Sequence, residues 1–136
     1  MCDNLTKTSA GERERKRILL IDDTEAYLFI LNDILKNDYE TIIAKNGADG
    51  LEIAKLTMPD LIVLDLIMPN LSGYDVLKIL KTDDIMKSIP VVLITGKDSE
   101  DDIAKGYELG AAGYIRKPFD NLLVKDMIDS IIKCEK

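Results

Sequence analysis

Charged and hydroxyl side chains follow short apolar runs at several points of the chain. The acidic ones are Asp22, Asp23 and Asp65, and they are joined by Thr95 and Lys117. If these residues lie together, three carboxylates meet one hydroxyl and one ammonium group. Carboxylates at close quarters repel each other and their pKa values rise unless a cation joins them. Mg²⁺ is the natural cation here because it is hard and prefers oxygen ligands.

We therefore expect a Mg²⁺ site built on Asp22, Asp23 and Asp65, with Mn²⁺ as a substitute ion. A backbone carbonyl near Ile67 and water molecules would complete the octahedron that Mg²⁺ requires. Lys117 would supply a point charge for an anionic group, and Thr95 would donate a hydrogen bond to the same group. The site would thus bind a metal ion and an anion side by side.

An anion beside Mg²⁺ and next to a carboxylate indicates phosphoryl chemistry. An aspartate can act as a nucleophile and form an acyl phosphate. Such a transfer needs mainly positioning and charge neutralisation. Each of these residues alone is most often a helix cap, a turn residue or a solvated charge. Their occurrence at corresponding strand ends is what favours a common site.

Five short apolar runs predict strands that are buried on both faces, as in a parallel sheet. Segments with helical spacing separate them, and the first carries Tyr27, Ile30, Leu31 and Ile34 at i, i+3, i+4 and i+7. Strict alternation of strand and helix favours a doubly wound sandwich of three layers. The apolar runs are Ile18–Ile21, Tyr39–Ala44, Leu61–Leu64, Val91–Ile94 and Gly113–Ile115.

Two five-stranded arrangements fit this alternation, a Rossmann-like half and the flavodoxin-like strand order 2-1-3-4-5. The Rossmann arrangement carries G-x-G-x-x-G after its first strand. Residues 22–25 read DDTE at that turn and contain no glycine, which disfavours a dinucleotide site. In open α/β sheets the ligand lies at the carboxyl ends of the strands, where the residues of the proposed Mg²⁺ site stand.

Composition excludes several other functions. The 136 residues contain 25 Asp and Glu, 18 Lys and Arg and no histidine, so the net charge is −7. An acidic chain of this kind is a poor ligand for nucleic acid, which needs a basic face. Without histidine, Ser-His-Asp and Cys-His catalysis are excluded. The length favours a single domain.

The polar residues 1–16 predict a flexible N-terminal tail or linker, and residues 17–136 a single domain. The first residues lack the apolar core of a signal peptide, and the apolar runs are too short to span a bilayer. The two cysteines, Cys2 and Cys134, are interpreted as free thiols in a reducing compartment. We therefore expect a cytoplasmic protein without a membrane partner.

The motifs around these residues resemble the receiver domain of bacterial response regulators. They are the acidic pair Asp22-Asp23, LIVLDLIMPNLSG around Asp65, VVLITG around Thr95 and GYIRKPF around Lys117. The resemblance covers about residues 17–133. It implies a CheY-like, flavodoxin-like fold and a role in two-component signal transduction, in which a histidine kinase or a phosphotransfer protein phosphorylates an aspartate.

The resemblance implies a role for each site residue. Asp65 matches the phosphoacceptor, Asp22 and Asp23 match the acidic pair that holds Mg²⁺, and the carbonyl of Ile67 matches the backbone ligand. Thr95 matches the hydroxyl that moves onto the phosphoryl group. The absence of histidine fits a relay in which the phosphohistidine belongs to the partner.

Further residues match positions that bind the phosphate or tune the reaction. Lys117 matches the lysine that contacts the phosphate, and its peptide bond to Pro118 is expected to be cis. Tyr114 matches an aromatic switch residue, and Gly96 a small residue that leaves the acceptor accessible. Ile67 and Lys97 match two positions that flank the path of the attacking water. Because an apolar Ile67 cannot orient water, we expect slow autodephosphorylation.

The resemblance also implies an output surface on the fourth helix, fifth strand and fifth helix. It comprises residues 98–109, Tyr114 and residues 120–133, and both signs of charge occur on it. Such a surface suits a phosphorylation-dependent symmetric dimer with ion pairs between the subunits. A solvated face is the alternative interpretation. The downstream protein or output domain is not specified by the sequence.

Two other functions compete with the receiver interpretation. A Mg²⁺-dependent phosphatase of the haloacid-dehalogenase type also uses an aspartate on an α/β sheet. That class needs a second Asp two residues after its nucleophile, where this chain has Ile67. A receiver-like scaffold that is never phosphorylated is the other alternative, and the intact acidic set argues against it.

Overall fold

Strands and helices alternate along the chain, as the apolar pattern predicts. The computed structural model describes residues 15–96 and 100–134. Within these residues the strands are β1 (Arg17–Ile21), β2 (Glu40–Ala44), β3 (Leu61–Asp65), β4 (Val91–Thr95) and β5 (Gly113–Arg116). The helices are α1 (Glu25–Leu35), α2 (Gly47–Thr57), α3 (Gly73–Thr82), α4 (Glu100–Glu108) and α5 (Asn121–Cys134).

The described strands form one parallel sheet in the order β2-β1-β3-β4-β5. This confirms the flavodoxin-like arrangement and excludes the Rossmann-like half. The register pairs Ile21 with Leu64 across β1 and β3 and Thr95 with Arg116 across β4 and β5. The carboxyl ends of the strands therefore meet at one edge, and the residues that follow them share it.

Helices cover both faces of the sheet, so the core has two layers. Leu19 and Ile21 of β1 point into the layer beneath α2, α3 and α4. Ile18 and Leu20, which alternate with them, point into the layer beneath α1 and α5. Because successive side chains of a strand face opposite sides, a strand that is covered on both sides is apolar throughout. This explains why β3 and β4 are buried along their whole length.

Helix α1 packs through a slightly different face from the one predicted. Leu28, Leu31 and Leu35 are buried, whereas Ile30 is 36% exposed. The prediction for Ile30 was wrong because two overlapping sets of apolar residues have helical spacing in this segment. The buried residues lie at i, i+3 and i+7 from Leu28, and Ile34 of the other set packs partly buried against the same core layer. None of the helices in the described ranges is long and apolar enough to cross a membrane.

Residues 15 and 16, just before β1, already contact the domain. The Arg15 guanidinium donates hydrogen bonds to the carbonyls of Lys36 (2.7 Å) and Asn37 (3.2 Å). The carbonyl of Lys16 accepts from the amide of Glu40 at 2.9 Å. These bonds fix the entry of the chain into β1.

A polar cluster joins the turn before β2 to α5. The Tyr39 hydroxyl donates to the Asp129 carboxylate. Lys125 Nζ lies 2.8 Å from Asp129 and 3.0 Å from Asp38. Burial alone would raise the pKa of Asp129, but the hydrogen bonds from Lys125 and Tyr39 outweigh burial and hold it below its usual value. The cluster therefore stabilises the ionised carboxylate at the end of the domain opposite Asp65.

We expect Tyr39→Phe to lower the free energy of unfolding at pH 7 by about 1–3 kcal/mol, because the Asp129 carboxylate loses a donor. Urea unfolding should show a lower midpoint with an unchanged slope. The folded pKa of Asp129 is lowered, so this stabilisation is present above the unfolded pKa and disappears as the pH falls through the folded value. The difference in the free energy of unfolding between wild type and Tyr39→Phe should therefore become smaller at acid pH.

Tyr107→Phe, on the exposed side of α4, is the matched control. It should change the free energy of unfolding by less than about 0.5 kcal/mol. If the two variants were equally stable at pH 7, the contribution assigned to the Tyr39 hydroxyl would be wrong.

Candidate functional site

Three carboxylates converge at the carboxyl edge of the sheet. Asp22 and Asp23 follow β1, and Asp65 is the last residue of β3. One carboxylate oxygen from each lies within 4.8 Å of those of the other two. Asp22 and Asp65 are 1% and 3% exposed, whereas Asp23 is exposed. The cluster thus has two buried members and one that opens to solvent.

Backbone groups orient the two buried carboxylates. Asp22 Oδ1 accepts from the amide of Thr24 at 2.9 Å, and Asp65 Oδ1 accepts from the amide of Ile67 at 3.3 Å. The remaining oxygens, Asp22 Oδ2 and Asp65 Oδ2, lie 3.1 Å and 3.4 Å from Lys117 Nζ. Each carboxylate therefore has one oxygen fixed by its own loop and another directed to the same ammonium group.

Lys117 reaches this site from the opposite half of the sheet. Its amide donates to the carbonyl of Thr95 at 2.9 Å, which extends the pairing of β4 and β5 by one step. The Lys117–Pro118 peptide bond is cis. The lysine side chain is only 11% exposed, and its Nζ lies 4.0 Å from the ring centroid of Tyr27. Sequence reasoning assigned Tyr27 to the apolar stripe of α1 and missed this contact.

The pKa of Asp65 is raised to about 6, first by burial and next by the negative charge of Asp22, whereas Lys117 and the Ile67 amide act in the opposite direction. Three carboxylates and one ammonium sum to −2 when all are ionised, so the site holds an excess of negative charge. A cluster of carboxylate oxygens with this charge suits a hard divalent cation. The residues present therefore fit the Mg²⁺ that the resemblance implies.

Glycine at position 73 lets α3 begin directly against the acceptor strand. A Cβ atom there would lie 2.3 Å from the carbonyl oxygen of Asp65 and 2.5 Å from the Cα of Leu66. The Gly73 amide donates to the carbonyl of Leu66 at 2.9 Å. Ser72 caps the helix through a reciprocal pair of bonds with Asp75. This glycine lies in the motif around Asp65, but the sequence alone does not reveal its contact with the strand.

The three positions proposed to tune access differ in their surroundings. Ile67 is 54% exposed in the loop after β3. Gly96 is also exposed, and a Cβ atom built there would meet nothing within 4 Å. Lys97 lies outside the described residues. Both described positions are thus open to solvent.

Thr95 and Tyr114 lie on neighbouring strands between the site and α4. Thr95 is fully buried at the end of β4, and Tyr114 packs against the core layer beneath α2, α3 and α4. A Cβ atom at Gly106 of α4 would lie 2.6 Å from Leu93 Cδ1 and 3.7 Å from the Tyr114 ring. The backbone of α4 therefore packs closely on both strands.

A groove of about 310 Å³ runs along β5 between α4 and α5. Tyr114 forms part of its floor, and Arg116 and Asp120 give it one charge of each sign. Its apolar lining comprises Ile103, Tyr107, Ile115, Pro118, Phe119 and Leu123. The groove overlaps the predicted output surface, of which residues 98–99 lie outside the described residues.

The site and the fold agree with comparisons to known proteins. Residues 18–129 match the sequence profile of the response regulator receiver domain. PilH of Pseudomonas aeruginosa is 33% identical over 117 residues, which are 85% of this chain and 97% of PilH. The chain therefore belongs to the response regulator receiver domain family of two-component signal transduction.

Other relatives are longer or known from structures. The alkaline phosphatase synthesis transcriptional regulatory protein PhoP of Bacillus subtilis is 37% identical over 119 residues, 87% of this chain but 49% of PhoP. The structure of a CheY-like receiver domain protein from Methanospirillum hungatei superposes with a TM-score of 0.82 at 26% identity, over 88% of this chain and 95% of that one. The chain thus spans nearly all of PilH but about half of PhoP.

The raised pKa of Asp65 predicts that its charge destabilises the metal-free fold. The folded carboxyl keeps its proton up to about pH 6, whereas the unfolded one loses it near its ordinary pKa, so stability falls as the pH rises between these values. In the presence of EDTA at pH 7, Asp65→Asn should raise the free energy of unfolding by about 1–3 kcal/mol. At pH 4 the gain should largely disappear, as urea unfolding at both pH values would show.

Asp126→Asn is the control, since Asp126 is exposed on α5. This substitution should not raise the free energy of unfolding comparably at pH 7 or at pH 4. An Asp65→Asn protein that was less stable than wild type at pH 7 would contradict the electrostatic account of the site.

Proposed function

We propose that this domain is a Mg²⁺-dependent phosphoacceptor and that Asp65 receives the phosphoryl group. The observation that supports this most is the convergence of Asp22, Asp23 and Asp65 within 4.8 Å, with Lys117 placed between Asp22 and Asp65. The donor is the phosphohistidine of a sensor histidine kinase or of a phosphotransfer protein. The chain has no histidine of its own, so the donor imidazole must belong to the partner.

Asp65 acts as the nucleophile in the proposed transfer. One carboxylate oxygen of Asp65 forms a bond to phosphorus, and the bond from phosphorus to the donor nitrogen breaks. Asp22, Asp23, Asp65 and the carbonyl of Ile67 would hold Mg²⁺, which when bound neutralises charge on the phosphoryl oxygens. Lys117 Nζ, 3.4 Å from Asp65, would pair with those oxygens. The Thr95 hydroxyl would donate to them as well.

The proposed output is a change at the surface formed by α4, β5 and α5. An aspartyl phosphate adds negative charge and acceptor oxygens to the site, and the movement of Thr95 toward them would be followed by Tyr114. The groove beside Tyr114 then offers an apolar surface with charges of both signs. We propose that it binds a second copy of the domain or a downstream protein, so the domain acts as a switch and not as an enzyme.

The domain boundaries and the compartment form part of the same proposal. Residues 17–136 constitute the receiver unit, and residues 1–16 a tail or linker whose last two residues contact that unit. A cytoplasmic location follows from the proposed exchange with a histidine kinase. Binding to nucleic acid is not proposed, because the net charge of −7 opposes it.

Incubation with acetyl phosphate and Mg²⁺ tests the acceptor. Intact mass spectrometry should show the addition of one phosphoryl group to the wild-type chain and none to Asp65→Asn. Omission of Mg²⁺ should slow the reaction strongly, because the charge of the incoming group is then not neutralised. Glu52→Gln, an exposed carboxylate on α2, should react as wild type does.

Other outcomes would favour the competing functions. Multiple turnover of added phosphoesters would support a phosphatase of the haloacid-dehalogenase type. A wild-type chain that gains no phosphoryl group from acetyl phosphate or from a phosphorylated phosphotransfer protein would support a scaffold.

Ile67→Asn tests the proposal of slow autodephosphorylation. An asparagine amide at this exposed position can orient a water molecule toward the aspartyl phosphate, which the apolar isoleucine cannot do. We expect the phosphoryl group to be lost several-fold faster in the variant, as measured by intact mass after removal of the donor. Ile79→Asn replaces another exposed isoleucine, on α3, and should keep the wild-type lifetime. An unchanged lifetime in Ile67→Asn would contradict the role assigned to this side chain.

A further inference from the structure

We propose that Tyr27 is a positioning residue that holds the Lys117 ammonium group in place for the phosphoryl group. The inference rests on the proposed function of Asp65 as phosphoacceptor and adds to it a residue outside the predicted site. Tyr27 is the third residue of α1, and its ring centroid lies 4.0 Å from Lys117 Nζ. A cation within about 6 Å of a ring centroid is attracted by the negative face of the ring.

The Lys117 side chain needs such support because it is long and flexible. A lysine ammonium is a compact charge on a flexible four-carbon stem, so its position depends on the groups that surround it. Its other two partners are Asp22 at 3.1 Å and Asp65 at 3.4 Å. Both of these carboxylates belong to the proposed metal and phosphoryl site. The bonds they make to Lys117 therefore change in the reaction that Lys117 must assist.

An aromatic ring can hold the ammonium group without neutralising it. A third carboxylate at this point would pair with Lys117 and compete with the phosphoryl oxygens for its charge. The face of the Tyr27 ring attracts the cation without placing a further carboxylate beside it. The lysine side chain is only 11% exposed, and cation–π contacts are strongest where water is largely excluded. The ring therefore attracts the ammonium group and leaves the N–H groups of Nζ able to donate to the phosphoryl oxygens.

Tyr27 is itself fixed from two sides. Leu28 and Leu31 anchor α1 to the sheet. The Tyr27 ring also packs against Phe119, with 5.8 Å between centroids and a tilt of 49°. Phe119 lies two residues after Lys117, so the same ring contacts both the lysine and the loop that follows it. Tyr27 thus joins α1, which starts at the acidic pair, to the connection between β5 and α5.

Phosphorylation kinetics of two variants separate this role from simple packing. With acetyl phosphate and saturating Mg²⁺, Tyr27→Leu should be modified about 3- to 30-fold more slowly than wild type, the range that loss of a cation–π contact produces. Tyr27→Phe keeps the ring face and should react within about twofold of wild type. If Tyr27→Leu does not fold, Tyr27→Met replaces it, since an unbranched side chain fills the space without a ring.

Nuclear magnetic resonance provides a readout that packing alone would not change. The Cε protons of Lys117, assigned by comparison with Lys117→Ala, should be shifted upfield by the ring in wild type and in Tyr27→Phe. In Tyr27→Leu they should return to the position of ordinary lysines. Tyr39→Phe is the control for lost stability, because it removes a hydrogen bond at the opposite end of the domain. It should keep both the wild-type rate and the Lys117 shift.

The outcomes distinguish a positioning role of Tyr27 from a role in packing alone. A folded Tyr27→Leu protein with the wild-type rate overturns the positioning role while leaving Asp65 as phosphoacceptor. A Tyr27→Phe protein as slow as Tyr27→Leu also overturns it, because the hydroxyl and not the ring face would then matter. A wild-type chain that gains no phosphoryl group overturns the proposed function and this inference together.

Discussion

The site depends on two buried carboxylates that are held next to each other. Asp22 and Asp65 are both removed from water. Burial and the nearby negative charge of Asp22 together raise the pKa of Asp65. One ammonium group, on Lys117, offsets only part of the charge. A divalent cation would relieve the remainder, so the metal affinity that we propose follows from the electrostatic cost that folding imposes on the site.

Strand order imposes this arrangement. Because β1 and β3 are neighbours and Ile21 pairs with Leu64, the residues that follow them, Asp22 and Asp65, must lie side by side. Asp65 itself is paired with Ile94 of β4, which brings Thr95 to the same edge. Lys117 starts at the far edge strand and reaches the carboxylates only because its side chain is long. A different order of the same strands would disperse the site.

The sequence allows the strand ends to be predicted because each apolar run stops where a polar residue begins. The missing glycines in the turn after β1 disfavour a dinucleotide site, and the resemblance to receiver domains implies the strand order. The sequence does not identify the face of α1, because Ile30 and Leu28 belong to overlapping apolar sets. The contacts of Tyr27 with Lys117 and of Gly73 with Asp65 join parts of the chain that only the fold brings together. No local pattern carries that information.

Close packing links the site to the groove beside Tyr114. Leu93 and Tyr114 are register partners on β4 and β5, and the backbone of Gly106 packs so tightly on Leu93 that a single added carbon would clash. In the proposed switch, Thr95 moves toward Asp65 within this region. Cores packed at this density do not deform continuously but change between alternative arrangements. In the proposed switch, a displacement of Thr95 would therefore be transmitted to Tyr114 or to α4.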